Sequence, residues 1–214
     1  MVVKSFRKKI RRVKRWLLKR RIALSIAAAL LIIAGLIYNS YMQNRRLTVD
    51  PMTYHPLLQV IAKAESKGNY NAYFGNASNS SIDFTNMTIA DVLKWQAEHV
   101  QQGNPSSAVG RYQFINTTLS ELVSRLDIDT SEKFDQSTQD KLAIALLERR
   151  GADNYINNEL SAEEFAANLA KEWAGLPKVV GENPNDSYYA SDGLNKARVK
   201  TEEVLKSIEA ISPE

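Results

Sequence analysis

The chain has 214 residues, with 28 basic and 24 acidic side chains, two histidines and no cysteine. This length suffices for one well-filled domain and an appendage. The lack of cysteine excludes a disulfide framework, a thiol nucleophile and a Cys-type zinc site. His55 and His99 belong to no spaced ligand motif, so we expect neither a metal nor a cofactor.

The positive charge is concentrated at the N-terminus. Residues 1–21 contain eleven Lys or Arg and no acid, whereas the remaining 193 residues carry 17 basic and 24 acidic side chains. The formal net charge of +4 therefore belongs to a tail, and the rest of the chain is acidic, at −7. This pattern argues against a globular domain that binds nucleic acid.

Residues 22–44 contain no charged side chain. As a helix this segment would span about 34 Å, enough to cross the hydrocarbon core of a bilayer. Tyr38 and Tyr41 suit a membrane interface, and Arg45 and Arg46 close the far end. We predict an uncleaved transmembrane anchor with a cytoplasmic N-terminus and an exported, periplasmic remainder, because no small-x-small cleavage site follows. A signal-anchor that later leaves the membrane is the alternative.

The rest of the chain predicts mostly helices. Residues 45–56 are a predicted linker, because prolines disfavour helix in the residue before them. A helix from Pro56 to the stop at Gly68 follows, and the Asn-rich segment 69–86 predicts an irregular β-hairpin. Later helices are expected to start near Thr88, Thr118, Ser137 and Ser161, and a last one contains Val204, Leu205 and Ile208. The fold class is α+β, mainly α, with one domain at 57–212 behind one transmembrane helix.

Glu65 is predicted to lie in the last turn of the helix that starts at Pro56. The negative end of the helix dipole and the apolar neighbours would both raise the pKa of its carboxyl. A glutamate that stays protonated near neutral pH can act as a general acid. An ordinary solvated glutamate at a helix end is the alternative interpretation.

Four motifs follow one another in a fixed order. They are Glu65-Ser66 with SIDFTN at 81–86, GRYQF at 110–114, QDKLAIALLERRGA at 139–152 and EWAGLPK at 172–178. Together they resemble the lysozyme-like lytic transglycosylases, and they look most similar to the bacteriophage lambda endolysin family. The stretch 88–104 looks longer than the family pattern, and the first fifty residues have no counterpart in it.

The resemblance implies a lysozyme-like fold that cleaves the β-1,4 bond between N-acetylmuramic acid and N-acetylglucosamine in peptidoglycan. Glu65 matches the catalytic glutamate of the family, Gln113 would hydrogen-bond the sugar, and Tyr112 would pack near the same site. Ser66, next to the acid, and Tyr189, in a polar loop, complete the candidate substrate-binding residues. The expected partners are peptidoglycan glycan strands and the lipid bilayer.

Two reactions are open to this site. If Glu65 is the sole acid and base, the 6-hydroxyl of muramic acid closes intramolecularly and a 1,6-anhydro end forms, so no second carboxylate is needed. A hydrolytic muramidase would use two carboxylates, with Asp83 as the second. A non-catalytic glycan-binding module and a structural membrane protein whose basic tail contacts DNA or anionic lipid are further alternatives. Phage lysis, virion entry and a cell-envelope machine are all compatible settings.

Overall fold

The structure is a computed structural model that describes residues 31–37 and 50–211. The chain divides between residues 50 and 51 into two units. In the first unit, residues 31–37 are helical and their apolar side chains are exposed. The predicted basic tail and most of the predicted span at 22–44 lie outside the described residues. Within the part that is described, no helix has both the length and the apolar character that a membrane crossing requires.

The described part of the second unit is built from seven α-helices. In chain order they are α1 (His55–Ser66), α2 (Ile89–Gln101), α3 (Asn116–Arg125), α4 (Gln136–Arg149), α5 (Ala152–Ile156), α6 (Ala162–Ala170) and α7 (Thr201–Glu209). α1 packs against α7, α7 against α6, and α2 against α3. An ion pair from Lys63 Nζ to Glu203 Oε1, 2.6 Å long, also joins α1 to α7. The prediction of a mainly helical unit is confirmed.

The unit begins earlier than the sequence predicted. Pro51–Tyr54 form a 3-10 turn, and the ring of Tyr54 is buried in the core. α1 then starts at His55, with Pro56 in its first turn, where a missing N–H removes no helical hydrogen bond. The C-terminal part of the predicted linker at 45–56 therefore belongs to the folded unit. The preceding residues 45–49 lie outside the described part of the chain.

Side-chain caps begin three of the seven helices, α2, α4 and α6, and two of the predicted helix starts are wrong. Thr88 accepts a hydrogen bond from the Asp91 backbone, and Ser161 forms a full capping box, as expected. α4 is capped by Asp135 instead of Ser137, because the Asp135 carboxylate accepts from the Thr138 N–H at 2.8 Å. α3 starts at Asn116, before Thr118, and its N-cap residue Ile115 has no side-chain acceptor.

The predicted β-hairpin in residues 69–86 is wrong. Among the described residues the backbone pairs only in isolated bridges, such as Tyr73 with Asn76 and Tyr73 with Val109. Asparagine side chains occupy the backbone groups that a β-ladder would use. The Asn79 amide donates to the carbonyls of Asn71, at 2.5 Å, and Ile82, at 2.7 Å, and its oxygen accepts from the Ile82 N–H. Such local bonds compete with strand pairing and produce an ordered loop without strands.

Candidate active site

Glu65 lies on a cleft of about 540 Å³. Five segments of the second unit form the walls: the C-terminal end of α1, the Asn-rich loop at 73–78, the loop at 106–115, the segment 172–175 and the segment 194–198. A concave cleft of this size, lined by many polar and charged side chains, can hold a polar ligand such as a glycan. The cleft is therefore the candidate active site of the chain.

The carboxyl of Glu65 is half-buried in the last turn of α1, as the sequence predicted. Burial raises its pKa from 4.5 to about 7, against the opposing effects of a hydrogen bond from Gly175 and of the positive charge of Arg198. The Gly175 N–H donates to Glu65 Oε1 at 2.8 Å. Glu65 thus combines access to the cleft with a substantial protonated fraction near neutral pH.

A glycine is required opposite the carboxyl. A Cβ atom added at Gly175 would lie 2.9 Å from Glu65 Oε1 and 2.9 Å from the Ala64 carbonyl oxygen. Contacts this short do not occur between real Cβ atoms and a backbone oxygen, so any side chain would displace one of the two segments. The lack of a side chain at Gly175 therefore allows the segment 172–175 to pack directly against the end of α1, where Glu65 lies.

Gln113 also lines the cleft, in a backbone conformation that is rare for its residue type. Its φ of 50° is left-handed, and its side-chain Nε2 donates to the Gly110 carbonyl at 2.9 Å. Val109 pairs with Phe114 across this tight turn. The turn brings Gln113 to the cleft that Glu65 lines, as the resemblance implied for its position.

Neither Ser66 nor Tyr112, both predicted to bind substrate, lines this cleft, although Tyr112 lines a smaller cavity that adjoins it. Ser66 is 0% exposed, and its hydroxyl donates to the Arg111 carbonyl at 2.7 Å. Consecutive helical residues are about 100° apart around the axis, so Ser66 faces away from the side on which Glu65 lies. Tyr112 is 2% exposed, and its hydroxyl donates to Asp140 Oδ1 at 2.6 Å. Both side chains support the loop at 106–115.

Tyr189 lies at a second, smaller cavity of about 250 Å³. This cavity shares Gln113, Ile115, Glu172 and Trp173 with the cleft, so the two adjoin. Tyr189 is 37% exposed, and its hydroxyl donates to the Lys171 carbonyl at 2.8 Å. Its ring is therefore held beside the cleft without lining it.

The carboxylates near the cleft differ in their surroundings. Asp83 does not line the cleft, and its carboxylate accepts from the Thr85 hydroxyl and the Asn86 amide, which lower its pKa. Glu172 does line the cleft, but Arg149 and Arg150 hold its oxygens at 2.7–2.8 Å. Among the described residues, Glu65 is therefore the one cleft carboxyl that has no ion-pair partner within 4.0 Å.

Sequence reasoning missed most residues of the cleft, among them one glycine and three cations. Gly175 stands inside the EWAGLPK motif, but only the fold brings it to Glu65, 110 positions earlier in the chain. Lys67, Lys196 and Arg198 line the cleft as well. Lys67 was detectable, since it lies two residues after the acid. Lys196 and Arg198 belong to no motif, and nothing local in the sequence marks them.

The model of the Endolysin family matches residues 55–196, a stretch that contains Glu65 and almost all of the cleft. The chain belongs to the Endolysin family, and its general class is that of a peptidoglycan-cleaving, lysozyme-like enzyme. Searches of curated proteins and of solved structures gave no match.

Proposed function

We propose that this protein is a membrane-anchored lytic transglycosylase that breaks the β-1,4 bond between N-acetylmuramic acid and N-acetylglucosamine, with Glu65 as its only acid and base. The observation that carries the proposal is the carboxyl of Glu65, which lines the cleft and has its pKa raised to about 7. General acids work best when their pKa lies near the operating pH.

In the first half of the reaction, protonated Glu65 gives its proton to the glycosidic oxygen. The bond from that oxygen to carbon 1 of muramic acid breaks, and N-acetylglucosamine leaves with a new 4-hydroxyl. In the second half, the Glu65 carboxylate takes the proton of the muramic 6-hydroxyl, whose oxygen closes onto carbon 1. Glu65 is protonated again at the end, and no water is consumed. An internal nucleophile of this kind has a high effective concentration.

The surroundings of the carboxylates favour this reaction over hydrolysis. A two-carboxylate glycosidase needs its second carboxylate across the scissile bond from the acid. Asp83 is exposed and is held by Thr85 and Asn86, away from the lining of the cleft. Glu172 already forms ion pairs with Arg149 and Arg150, at 2.8 and 2.7 Å, so it is not a free carboxylate facing the scissile bond. These placements support the intramolecular route, in which one carboxyl is enough.

The membrane part of the proposal rests on the sequence. The charge-free segment 22–44 follows eleven basic residues, a pattern that keeps the N-terminus in the cytoplasm and exports the rest. The described portion at 31–37 is helical and exposes apolar side chains on all sides, which suits a lipid environment. A single-pass protein of this orientation would hold its catalytic unit on the periplasmic side, where peptidoglycan lies.

The reaction is tested by mass spectrometry of purified peptidoglycan after digestion with the full-length protein. We expect muramic ends that lack one water, the signature of the 1,6-anhydro product. Glu65→Gln should lower the rate by at least about 10³-fold, because it removes the only proton donor. Asp83→Asn should keep the rate within a few-fold of wild type.

The alternatives give different results in the same experiment. Reducing muramic ends, with Asp83→Asn as damaging as Glu65→Gln, would identify a hydrolytic muramidase. Binding to peptidoglycan with no released product, and no clearing in a zymogram, would identify a non-catalytic glycan-binding module. Circular dichroism of each variant verifies that a lost rate does not reflect lost folding.

A further inference from the structure

Three cationic side chains line the cleft around Glu65. They are Lys67, Lys196 and Arg198, and all three are exposed. Within residues 31–37 and 50–211, none of them forms an ion pair with an acidic side chain within 4.0 Å. Lys67 is the C-cap of α1, two residues after the acid. The other two come from the segment that leads into α7.

Backbone hydrogen bonds hold the segments that carry these cations. The Arg198 N–H donates to the Gly175 carbonyl at 2.9 Å, and the Gly175 N–H donates to Glu65. The segment that carries Lys196 and Arg198 is therefore joined through one residue to the acid itself. Lys67 is held in a left-handed conformation by its own N–H, which donates to the Ala62 carbonyl of α1. The three cations therefore come from two different segments of the cleft wall.

This concentration of positive charge contrasts with the rest of the unit. Residues 51–214 carry 15 basic and 23 acidic side chains, a formal net charge of −8. The two acids that line the cleft do not cancel the three cations, because Glu65 has a pKa of about 7 and Glu172 is already paired with Arg149 and Arg150. A cleft lined by one sign of charge between protein walls concentrates ligands of the opposite sign. The local charge thus indicates an anionic ligand.

The sugars of intact peptidoglycan do not supply that anion, because their amines are acetylated and the lactyl carboxyl of each muramic acid is bound in an amide to its stem peptide. The negative charge lies in the stem peptides, which leave each muramic acid at carbon 3 and carry free carboxylates. Glu65 has to lie at the muramyl bond in order to protonate it. The stem of the same sugar therefore starts beside Glu65. Because two extended residues of peptide reach at most about 7 Å, the first carboxylates of the stem stay close to the cleft that Glu65 lines.

We propose that Lys67, Lys196 and Arg198 form a subsite for the carboxylates of the stem peptide, so that the enzyme acts preferentially on glycan that still bears its peptides. The proposal rests on the function proposed above, since it needs a muramic acid at Glu65. Exposed ion pairs are individually weak, and each is expected to change affinity by about twofold to fivefold. Three together should give roughly a tenfold preference or more.

Binding is measured with the full-length Glu65→Gln protein, so that nothing is cleaved. The probes are fluorescent peptidoglycan oligomers with intact, ionised stems and the same oligomers with every stem carboxyl converted to a neutral amide, because removal of the stems would uncover the lactyl carboxylate of each muramic acid. We expect at least about tenfold tighter binding of the intact oligomers, and a preference that shrinks as salt is added. In the double variant Lys67→Gln/Lys196→Gln, on the same background, the preference should fall by at least about fourfold.

Lys141→Gln is the matched control, since Lys141 is an exposed lysine of α4 that does not line the cleft. It should leave the preference unchanged. Arg198 is not used as the test, because its charge also acts on Glu65.

Equal binding of both oligomers, or a preference that the double variant retains, would overturn the subsite. The wild-type digestion is scored separately. If wild type releases anhydro products while binding is indifferent to the charge of the stem carboxyls, the proposed function stands and the subsite is wrong. If wild type releases nothing from either oligomer, the proposed function fails, whatever the binding shows.

Discussion

At the scale of single residues, the acid of this cleft is kept protonated against two interactions that would ionise it. The Gly175 hydrogen bond and the charge of Arg198 both favour the carboxylate, and burial outweighs them. This balance suits a group that works in both forms. Protonated Glu65 can give up its proton, and the carboxylate that results is then stabilised by the same two partners until it is protonated again.

Because the pKa of Glu65 is raised in the folded state, its ionisation at high pH lowers the free energy of unfolding. The folded state binds this proton more tightly than the unfolded state, whose carboxyl has a pKa near 4.5. The group's stabilising contribution is therefore present below pH 4.5 and is lost as the pH rises through 7. Glu65→Gln removes the titration, so its stability gain over wild type should be about 2 to 3 kcal/mol larger at pH 8 than at pH 5. Urea unfolding followed by tryptophan fluorescence measures the difference.

Asp83→Asn is the control, because its effect on stability should depend on pH in the opposite sense. The hydrogen bonds of Asp83 lower its pKa, so its contribution to stability is present above the ordinary pKa and is lost as the pH falls. Asp83→Asn should therefore destabilise the protein more at pH 8 than at low pH. A Glu65→Gln gain that is the same at pH 5 and pH 8 would show that the carboxyl has an ordinary pKa.

At the scale of elements, two buried glutamines from different helices hold the loop at 106–115. Gln139 of α4 accepts from the Arg111 N–H at 2.8 Å and donates to the carbonyls of Tyr70 and Phe134. Gln96 of α2 donates to the carbonyls of Ser107, at 2.8 Å, and Phe114, at 2.7 Å. Both side chains are 0% exposed. An irregular loop can be buried only if its backbone groups find such partners.

Gln139→Leu is expected to destabilise the protein by about 2 to 4 kcal/mol, because it leaves buried backbone groups without partners. It should also lower the activity of the protein that remains folded, since Gln113 loses the support of its turn. Gln136→Leu is the matched control, because Gln136 is exposed in the first turn of the same helix, and its effect should stay within about 0.5 kcal/mol. Urea denaturation gives the stability change. Equal midpoints for both variants would contradict the role of Gln139.

The sequence predicted the positions of the helices better than it predicted which way individual side chains point. The helix that ends after Glu65 was identifiable, because apolar spacing, Pro56 and Gly68 all act within a few residues. Capping at Ser137 and the hairpin were wrong because Asp135 and Asn79 offered competing side-chain bonds. Ser66 was misplaced because adjacency in sequence does not give a shared face of a helix. Contacts such as Gly175 with Glu65 depend on the whole fold, so no local pattern could reveal them.

At the scale of the whole molecule, the chain separates charges of opposite sign. Eleven basic residues precede the apolar segment 22–44, while residues 51–214 have a formal net charge of −8. In the proposed topology, this positive charge would retain the N-terminus in the cytoplasm. An acidic catalytic unit is repelled by anionic wall polymers and lipids unless a local positive site attracts them. The cations of the cleft therefore offer an anionic ligand a local binding point on a unit whose overall negative charge would repel it.

Deletion of residues 1–46 tests whether this N-terminal segment anchors the protein without taking part in catalysis. The full-length protein should sediment with membranes and resist extraction by salt and alkali, whereas the deleted protein should be soluble, because its apolar segment is gone. On solubilised peptidoglycan fragments in detergent, the two should have kcat/KM values within about twofold of each other, since every residue that lines the cleft lies beyond position 64.

Deletion of residues 1–21 alone is the control: it keeps the apolar segment and should keep membrane association while weakening the bias in orientation. A deleted protein that still sediments with membranes would contradict the anchor. A large loss of kcat/KM on soluble fragments, with folding intact, would show that the N-terminal segment contributes to the site.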